Sequence, residues 1–154
     1  FNICDNIMSI HGKDIVQCVN QMIDRRRVLE MGEQAISDLG IRANGPKQMV
    51  VNLSGGNQQK VVIAKCLSTN PQIIIMDEPT RGVDVGAKEE IFSILHSLAD
   101  DKESPKGIII VSSELEEVVK ECDRVIIIKN GRIVGELCGD DIQGEGIVQF
   151  AFNG

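Results

Sequence analysis

Three short apolar runs restrict the fold of this chain more than any other feature: Ile73-Ile74-Ile75-Met76, Ile108-Ile109-Ile110-Val111 and Val125-Ile126-Ile127-Ile128. Continuous runs of this kind suit strands covered on both faces, as in a parallel sheet with helices on either side. The intervening segments agree. Between the first two runs, Ala87, Ile91, Ile94, Leu95 and Leu98 fall on one helical stripe, and Leu115, Val118, Val119 and Cys122 do so between the last two. The alternation β-α-β-α-β predicts an α/β fold with a mainly parallel sheet. Lys129-Asn130-Gly131-Arg132 predicts a tight hairpin turn, with Ile133 to Leu137 as the returning strand. The first third differs. From Asp14, the positions Ile15, Val19, Met22 and Ile23 recur at helical spacing, and a second helical stretch runs from Met31 to Leu39 until Gly40 and Asn44-Gly45-Pro46 break it. This region predicts a small helical unit with no strand. The Gly-rich tail from Gly139 carries no clear pattern.

The chemistry concentrates at two places. The first apolar run ends in Asp77-Glu78-Pro79-Thr80. A first carboxylate there can stay near magnesium through a water, because that ion keeps most of its hydration shell, and a second can orient and deprotonate an attacking water. Taken alone, Asp77 and Glu78 also fit the opening of a loop and the cap of a helix. Upstream lies Leu53-Ser54-Gly55-Gly56-Asn57-Gln58-Gln59-Lys60, with Asp77 following 23 residues after Ser54. Ser54 can cap a helix that begins at Gly55 or Gly56. The two glycines then let a phosphate approach bare backbone N–H groups, and the helix dipole favours the anion. A plain serine cap with a glycine loop is the simpler reading of Ser-Gly-Gly in isolation. Asp84 fits the N-cap of the following helix.

Together these segments resemble the ABC (ATP-binding cassette) ATPases. Residues 53–60 are similar to the signature motif, Asp77-Glu78 to the Walker B end, Arg81-Gly82-Val83-Asp84 to the D-loop, and Ser112-Ser113-Glu114 to the switch region. The combination with Val85-Gly86-Ala87-Lys88 resembles the second cassette of tandem subunits that power bacterial import of ribose, galactose or xylose-type sugars. The resemblance covers about residues 1–138. It implies the later part of a P-loop ATPase core: residues 1–70 as a helical subdomain ending in the signature and its helix, and 71–138 as the second part of the core, followed by the tail 139–154. It implies ATP and Mg2+ as cofactors of a complete cassette pair. Asp77 is then the metal residue, Glu78 the catalytic base, and Ser54, Gly55, Gly56, Asn57, Gln58, Asp84 and Ser113 the nucleotide contacts. The implied partners are a second ATP-binding cassette, transmembrane permease subunits and, indirectly, a sugar-binding protein, at the cytoplasmic face of the membrane.

Two departures shape the reading. The switch position holds Ser113 where the family carries a histidine, and a serine supplies neither an imidazolium's charge nor its reach. This favours a half that donates its signature to a partner's site without hydrolysing at its own. The second departure is that G-x-x-x-x-G-K-[ST] occurs nowhere: Gly12-Lys13 is followed by Asp14, and position 7 is Ile. That loop cradles phosphates with backbone N–H groups and a lysine. Losing about four charge-assisted bonds of roughly 1.5–3 kcal/mol each removes on the order of four decades in affinity. The 154 residues by themselves are expected to be inactive, with the loop expected upstream of Phe1.

Charge and composition remove other classes. A net charge of −7 with no Trp or Tyr disfavours a nucleic-acid partner, and with it an ABC-class ATPase of DNA repair or translation. The basic run Arg25-Arg26-Arg27 follows an amphipathic stretch, and is expected to close a helix where it complements the dipole. Cys4, Cys18, Cys66, Cys122 and Cys138 form no CxxC pair and, with only His11 and His96 beside them, suggest no zinc site. They read as reduced thiols of a cytosolic protein. No run approaches the roughly 20 apolar residues of a membrane span, and no secretory signal is visible.

Overall fold

Periodicity and capping account for most of the elements in a computed structural model of the chain, in which residues 1–10, 16–17 and 22–153 are described. They form two compact units, Phe1–Ile110 and Val111–Gly154.

In the first unit, α1 (Ile3–Met8) is capped by Asn2, whose side chain accepts from the Asp5 N–H at 2.8 Å. Where residues of the helix expected from Asp14 are described, they form strand. Met22–Ile23 pairs antiparallel with Val16–Gln17 as β2 and β1, whereas Asp14, Ile15 and Val19 lie outside the described residues. At Met22 and Ile23, local pairing outweighed the helical spacing. Helix α2 (Arg25–Asp38) starts earlier than the Met31 stretch suggested, and it reverses the expectation for the arginines. They open the helix at its positive end rather than closing it, an unfavourable placement. Asp24 offsets it by accepting from the N–H groups of Arg26 and Arg27 at 3.1 and 3.2 Å, and Arg26 pairs with Glu30 at 2.9 Å. Gly40, at φ +57°, ends α2: its N–H reaches the Ser37 carbonyl and the Ile41 N–H reaches that of Ile36 at 3.0 Å. This is a Schellman closure, which favours glycine because the left-handed conformation strains a side chain.

A 3-10 turn (Val50–Asn52) leads into α3 (Gly55–Leu67), then β3 (Ile73–Asp77), α4 (Val85–Ala99) and β4 (Gly107–Val111). β3 and β4 pair in parallel, joined by α4, as the alternation predicted. The core collects Ile3 and Ile7 from α1, Val61, Ile63 and Ala64 from α3, Ile74 and Met76 from β3, and Ile91, Phe92 and Leu95 from α4. The sheet is covered on one face only among the described residues. Ile74 and Met76 are buried, but Ile73 and Ile75 are 60% and 69% exposed, and Ile109 is half exposed. Burial on both faces, expected from the continuous runs, is therefore not met within these residues. Apolar strand surface of this kind seeks a cover. Residues 1–154 expressed alone should self-associate and bind a hydrophobic dye. A strictly monomeric species by light scattering across a wide concentration range would contradict this.

The second unit contains α5 (Leu115–Glu121), β5 (Arg124–Lys129), β6 (Arg132–Cys138), a 3-10 turn (Gly139–Asp141) and α6 (Gly144–Asn153). The predicted hairpin is present: β5 and β6 pair antiparallel, with Lys129 opposite Arg132. Both turn residues, Asn130 and Gly131, have positive φ (51° and 74°), as a two-residue turn matched to strand twist requires. β5 takes β6 as its partner in a separate two-stranded sheet. The tail that carried no clear sequence pattern folds as α6 against this hairpin: a Cβ on Gly135 would stand 2.5 Å from the Phe150 ring, so only glycine seats that ring. No helix among the described residues is long and apolar enough to cross a membrane.

Candidate functional site

Ser54 occupies the N-cap of α3, as expected, but its side chain makes no capping bond to the helix backbone. Its hydroxyl oxygen instead accepts from Asn57 Nδ2 at 2.8 Å, and Asn57 Oδ1 accepts from the Arg42 backbone N–H at 2.7 Å. Gln58 Nε2 donates to the Leu53 carbonyl at 2.9 Å. The first-turn N–H groups of α3 thus gain nothing from the Ser54 side chain, although helix-opening donors need an acceptor. The side of α3 that opens on this turn meets the start of α4. Together they line a cavity of about 170 Å³ whose polar groups are Arg42, Ser54, Asn57, Asp84 and Glu90.

The two glycines of the motif do different work. A Cβ on Gly55 would come no nearer than 3.4 Å to the Gly82 carbonyl oxygen, an approach a small shift relieves. A Cβ on Gly56 would stand 2.5 Å from Ala87 Cβ on α4. Gly56 therefore answers to the close crossing of two helices, a reason beyond the approach of a phosphate. Asp84 is the N-cap of α4, its Oδ1 accepting from the Ala87 N–H at 3.0 Å, so the same residue caps the helix and lines the cavity.

An ion network ties this wall together. Lys60 is 5% exposed, and its Nζ donates to Glu90 Oε2 at 2.8 Å and to the Gly40 carbonyl at 3.2 Å. The other oxygen of Glu90 accepts from Arg42 Nη2 at 2.9 Å. The Lys60 ammonium, through its hydrogen bond and then its charge, and Arg42 after it, hold the Glu90 carboxyl below the usual carboxylate range. Arg42, Lys60 and Glu90 were not singled out as site residues from sequence. One signal was available: Lys60 falls on the apolar stripe of α3 with Gly56, Ile63 and Ala64, where a buried ammonium needs a counter-charge.

Asp77 ends β3 with an exposed side chain, and Glu78 follows in the left-handed region at φ +48°. A non-glycine residue held there stores strain that surrounding structure has to impose. The restraint comes from a turn in which the Arg81 N–H reaches the Glu78 carbonyl and the Val83 N–H that of Thr80, with Pro79 and Thr80 fully buried. Ser113 stands in the second unit, exposed, in a turn where the Ser112 hydroxyl accepts from the Glu114 N–H at 3.0 Å and donates to Glu117 at 3.2 Å. Among the described residues no cluster of His, Cys, Asp or Glu forms a metal cage. Cys4, Cys66, Cys122 and Cys138 are free thiols, and Cys18 lies outside the described residues.

Comparison with known proteins adds three findings. A family profile described as ABC transporter matches residues 8–81. The ribose import ATP-binding protein RbsA of Caldanaerobacter subterraneus subsp. tengcongensis is 45% identical over 141 residues, covering 92% of this chain and 27% of that protein. The chain thus spans about a quarter of the length of such relatives. Among solved structures, an ATP-binding cassette of an ABC transporter superposes with a TM-score of 0.77 at 23% identity, covering 97% of this chain and 62% of that one. A cassette in a dimeric post-hydrolysis state with ADP and Pi superposes with a TM-score of 0.69 at 22% identity, covering 90% and 56%. At these identities the two structures speak for the fold.

Proposed function

The chain belongs to the ABC transporter family, and we propose that it is the signature-bearing later part of a nucleotide-binding domain that couples ATP hydrolysis to sugar import. The observation that carries this is the uncapped first turn of α3. Ser54 and the adjacent N–H groups open on a cavity beside the α4 cap, and Gly55 leaves the backbone accessible. Such a turn suits a phosphate, since oriented N–H donors and the helix dipole both favour an anion. The similarity to a ribose import ATP-binding protein supports a sugar, with ribose the first to try.

The residues present fit ATP and Mg2+: an uncapped helix start offers donors to phosphate, and an exposed carboxylate at a strand end offers oxygen to a hard cation. When bound, Mg-ATP supplies the phosphoryl group and the charge that polarises it. In this reading Asp77 holds the hydrated cation, and Glu78 takes a proton from water at its carboxylate oxygen. Ser54, Gly55, Gly56, Asn57 and Gln58 form the wall that meets the nucleotide of a second cassette, and Asp84 lies where the two cassettes would join. The dimeric neighbour supports such pairing. Permease subunits at the cytoplasmic face of the membrane complete the assembly, with a sugar-binding protein acting through them. Ser113 at the switch position favours a second reading, in which this half chiefly completes its partner's site.

The test compares the full-length subunit, assembled with its permease, against residues 1–154 alone. The assembly should show ribose-stimulated ATP hydrolysis. The isolated chain should bind Mg-ATP no better than millimolar by calorimetry and hydrolyse none. Absence of sugar-stimulated hydrolysis in the assembly overturns the importer reading, and micromolar affinity in the isolated chain overturns the requirement for a separate phosphate loop.

A further inference from the structure

We infer that Asn57 is a positioning residue whose carboxamide fixes the Ser54 hydroxyl as a hydrogen-bond donor aimed away from the protein, toward the bound anion. The inference rests on the phosphate-binding reading of Ser54 above. It follows from hydrogen-bond polarity. The Arg42 backbone N–H can only donate, so the Asn57 atom 2.7 Å from it is the carbonyl oxygen. The amide nitrogen of Asn57 consequently faces Ser54 Oγ at 2.8 Å, and that nitrogen can only donate. The hydroxyl oxygen is therefore an acceptor on its protein side, and its single proton points elsewhere. A serine free to rotate can present either a lone pair or a proton. Here one of its two lone pairs is engaged by Asn57 and its proton is left for an acceptor outside the protein, and a proton is what phosphate oxygen requires.

The anchor of this relay is itself held. The Arg42 guanidinium pairs with Glu90 on α4 at 2.9 Å, and Glu90 pairs with the buried Lys60 of α3 at 2.8 Å. Lys60 also binds the Gly40 carbonyl at 3.2 Å. The segment from Gly40 to Arg42 is thus tied to both helices. The Arg42 N–H has a defined place from which to orient the carboxamide. Within the wall that meets the nucleotide, Asn57 exerts its effect through Ser54.

A double-mutant cycle in the full-length subunit, assembled with its transporter, tests this. Hydrolysis is measured for Ser54→Ala, Asn57→Ala and the double variant, with melting midpoints alongside. A hydrogen bond to a charged group corresponds to a loss of about tenfold to a hundredfold. Each single variant should lose about that much, and the double variant should be no worse than the poorer single one, because Asn57 has nothing to orient once the hydroxyl is gone. If the two losses multiply, Asn57 acts independently of Ser54 and the inference is overturned. Should Asn57→Ala unfold the protein, Asn57→Asp keeps its size and still accepts from Arg42. Its carboxylate, however, captures the Ser54 proton. Hydrolysis should then fall at least tenfold, roughly the value of one charge-assisted bond, with little change in melting. Full activity in Asn57→Asp likewise overturns the inference. A Ser54→Ala variant with unchanged hydrolysis is a different failure, since it removes Ser54 as a phosphate ligand and the functional reading with it.

Discussion

Ser54→Arg in the full tandem subunit, assembled with its permease, should abolish most transport-coupled ATP hydrolysis, while Glu78→Gln should cost far less. Arginine at the α3 cap fills the small cavity that Ser54 shares with Asp84 and Asn57, and on the proposed reading so blocks the surface that would meet the partner's nucleotide. On the proposed reading, the site that would use Asp77 and Glu78 stands differently, because the sequence position that resembles the family's switch holds Ser113. Preorganised charge stabilisation of that kind is worth about 3 kcal/mol, roughly a hundredfold in rate. A site slowed to that degree would have little left to lose when its base is removed. Steady-state rates decide the matter. Equal damage from the two substitutions would make Glu78 a working base despite Ser113, and the asymmetric reading would fall.

The second large effect is expected at Gly56. In Gly56→Ala the new methyl would lie 2.5 Å from Ala87 Cβ, well inside the roughly 3.5–4 Å at which carbon atoms rest, so α3 and α4 have to part. Overpacking of this sort costs about 1–3 kcal/mol. The separation also displaces the Ser54 turn, and misplacement by about 1 Å can lower a rate on the order of a hundredfold. Ala87→Gly removes the obstructing methyl and should restore both the unfolding midpoint and hydrolysis, less about 1 kcal/mol for glycine inside a helix. Rescue separates two roles for the motif's second glycine. If Ala87→Gly restores stability and leaves hydrolysis lost, the close approach of phosphate, and not helix packing, is what Gly56 serves in catalysis.

The elements read correctly from sequence share a property. The stripe Ala87, Ile91, Ile94, Leu95, Leu98 became α4, and Asn130-Gly131 became the hairpin turn. Ser54 and Asp84 took the cap positions assigned to them. Each rests on residues within about four positions of one another, the range over which helical faces, caps and tight turns are written. Misreadings arose where that range was too short. The arginines sit beside a helix end, but which end depended on Met22–Ile23 pairing with Val16–Gln17 instead of continuing as helix.

By itself, then, the sequence determined that a strand ends in Asp77-Glu78, that a helix begins behind Ser54, and that both belong to an ABC cassette. Only the tertiary structure decided why Gly56 is glycine, where the buried ammonium of Lys60 finds its charge, and which way the Asn57 carboxamide turns. Those answers lie in partners 31, 30 and 15 residues away, Ala87, Glu90 and Arg42. The physical reason is reach. Capping and amphipathic spacing act between chain neighbours, whereas a helix crossing brings together groups whose separation along the chain says nothing of their distance in space.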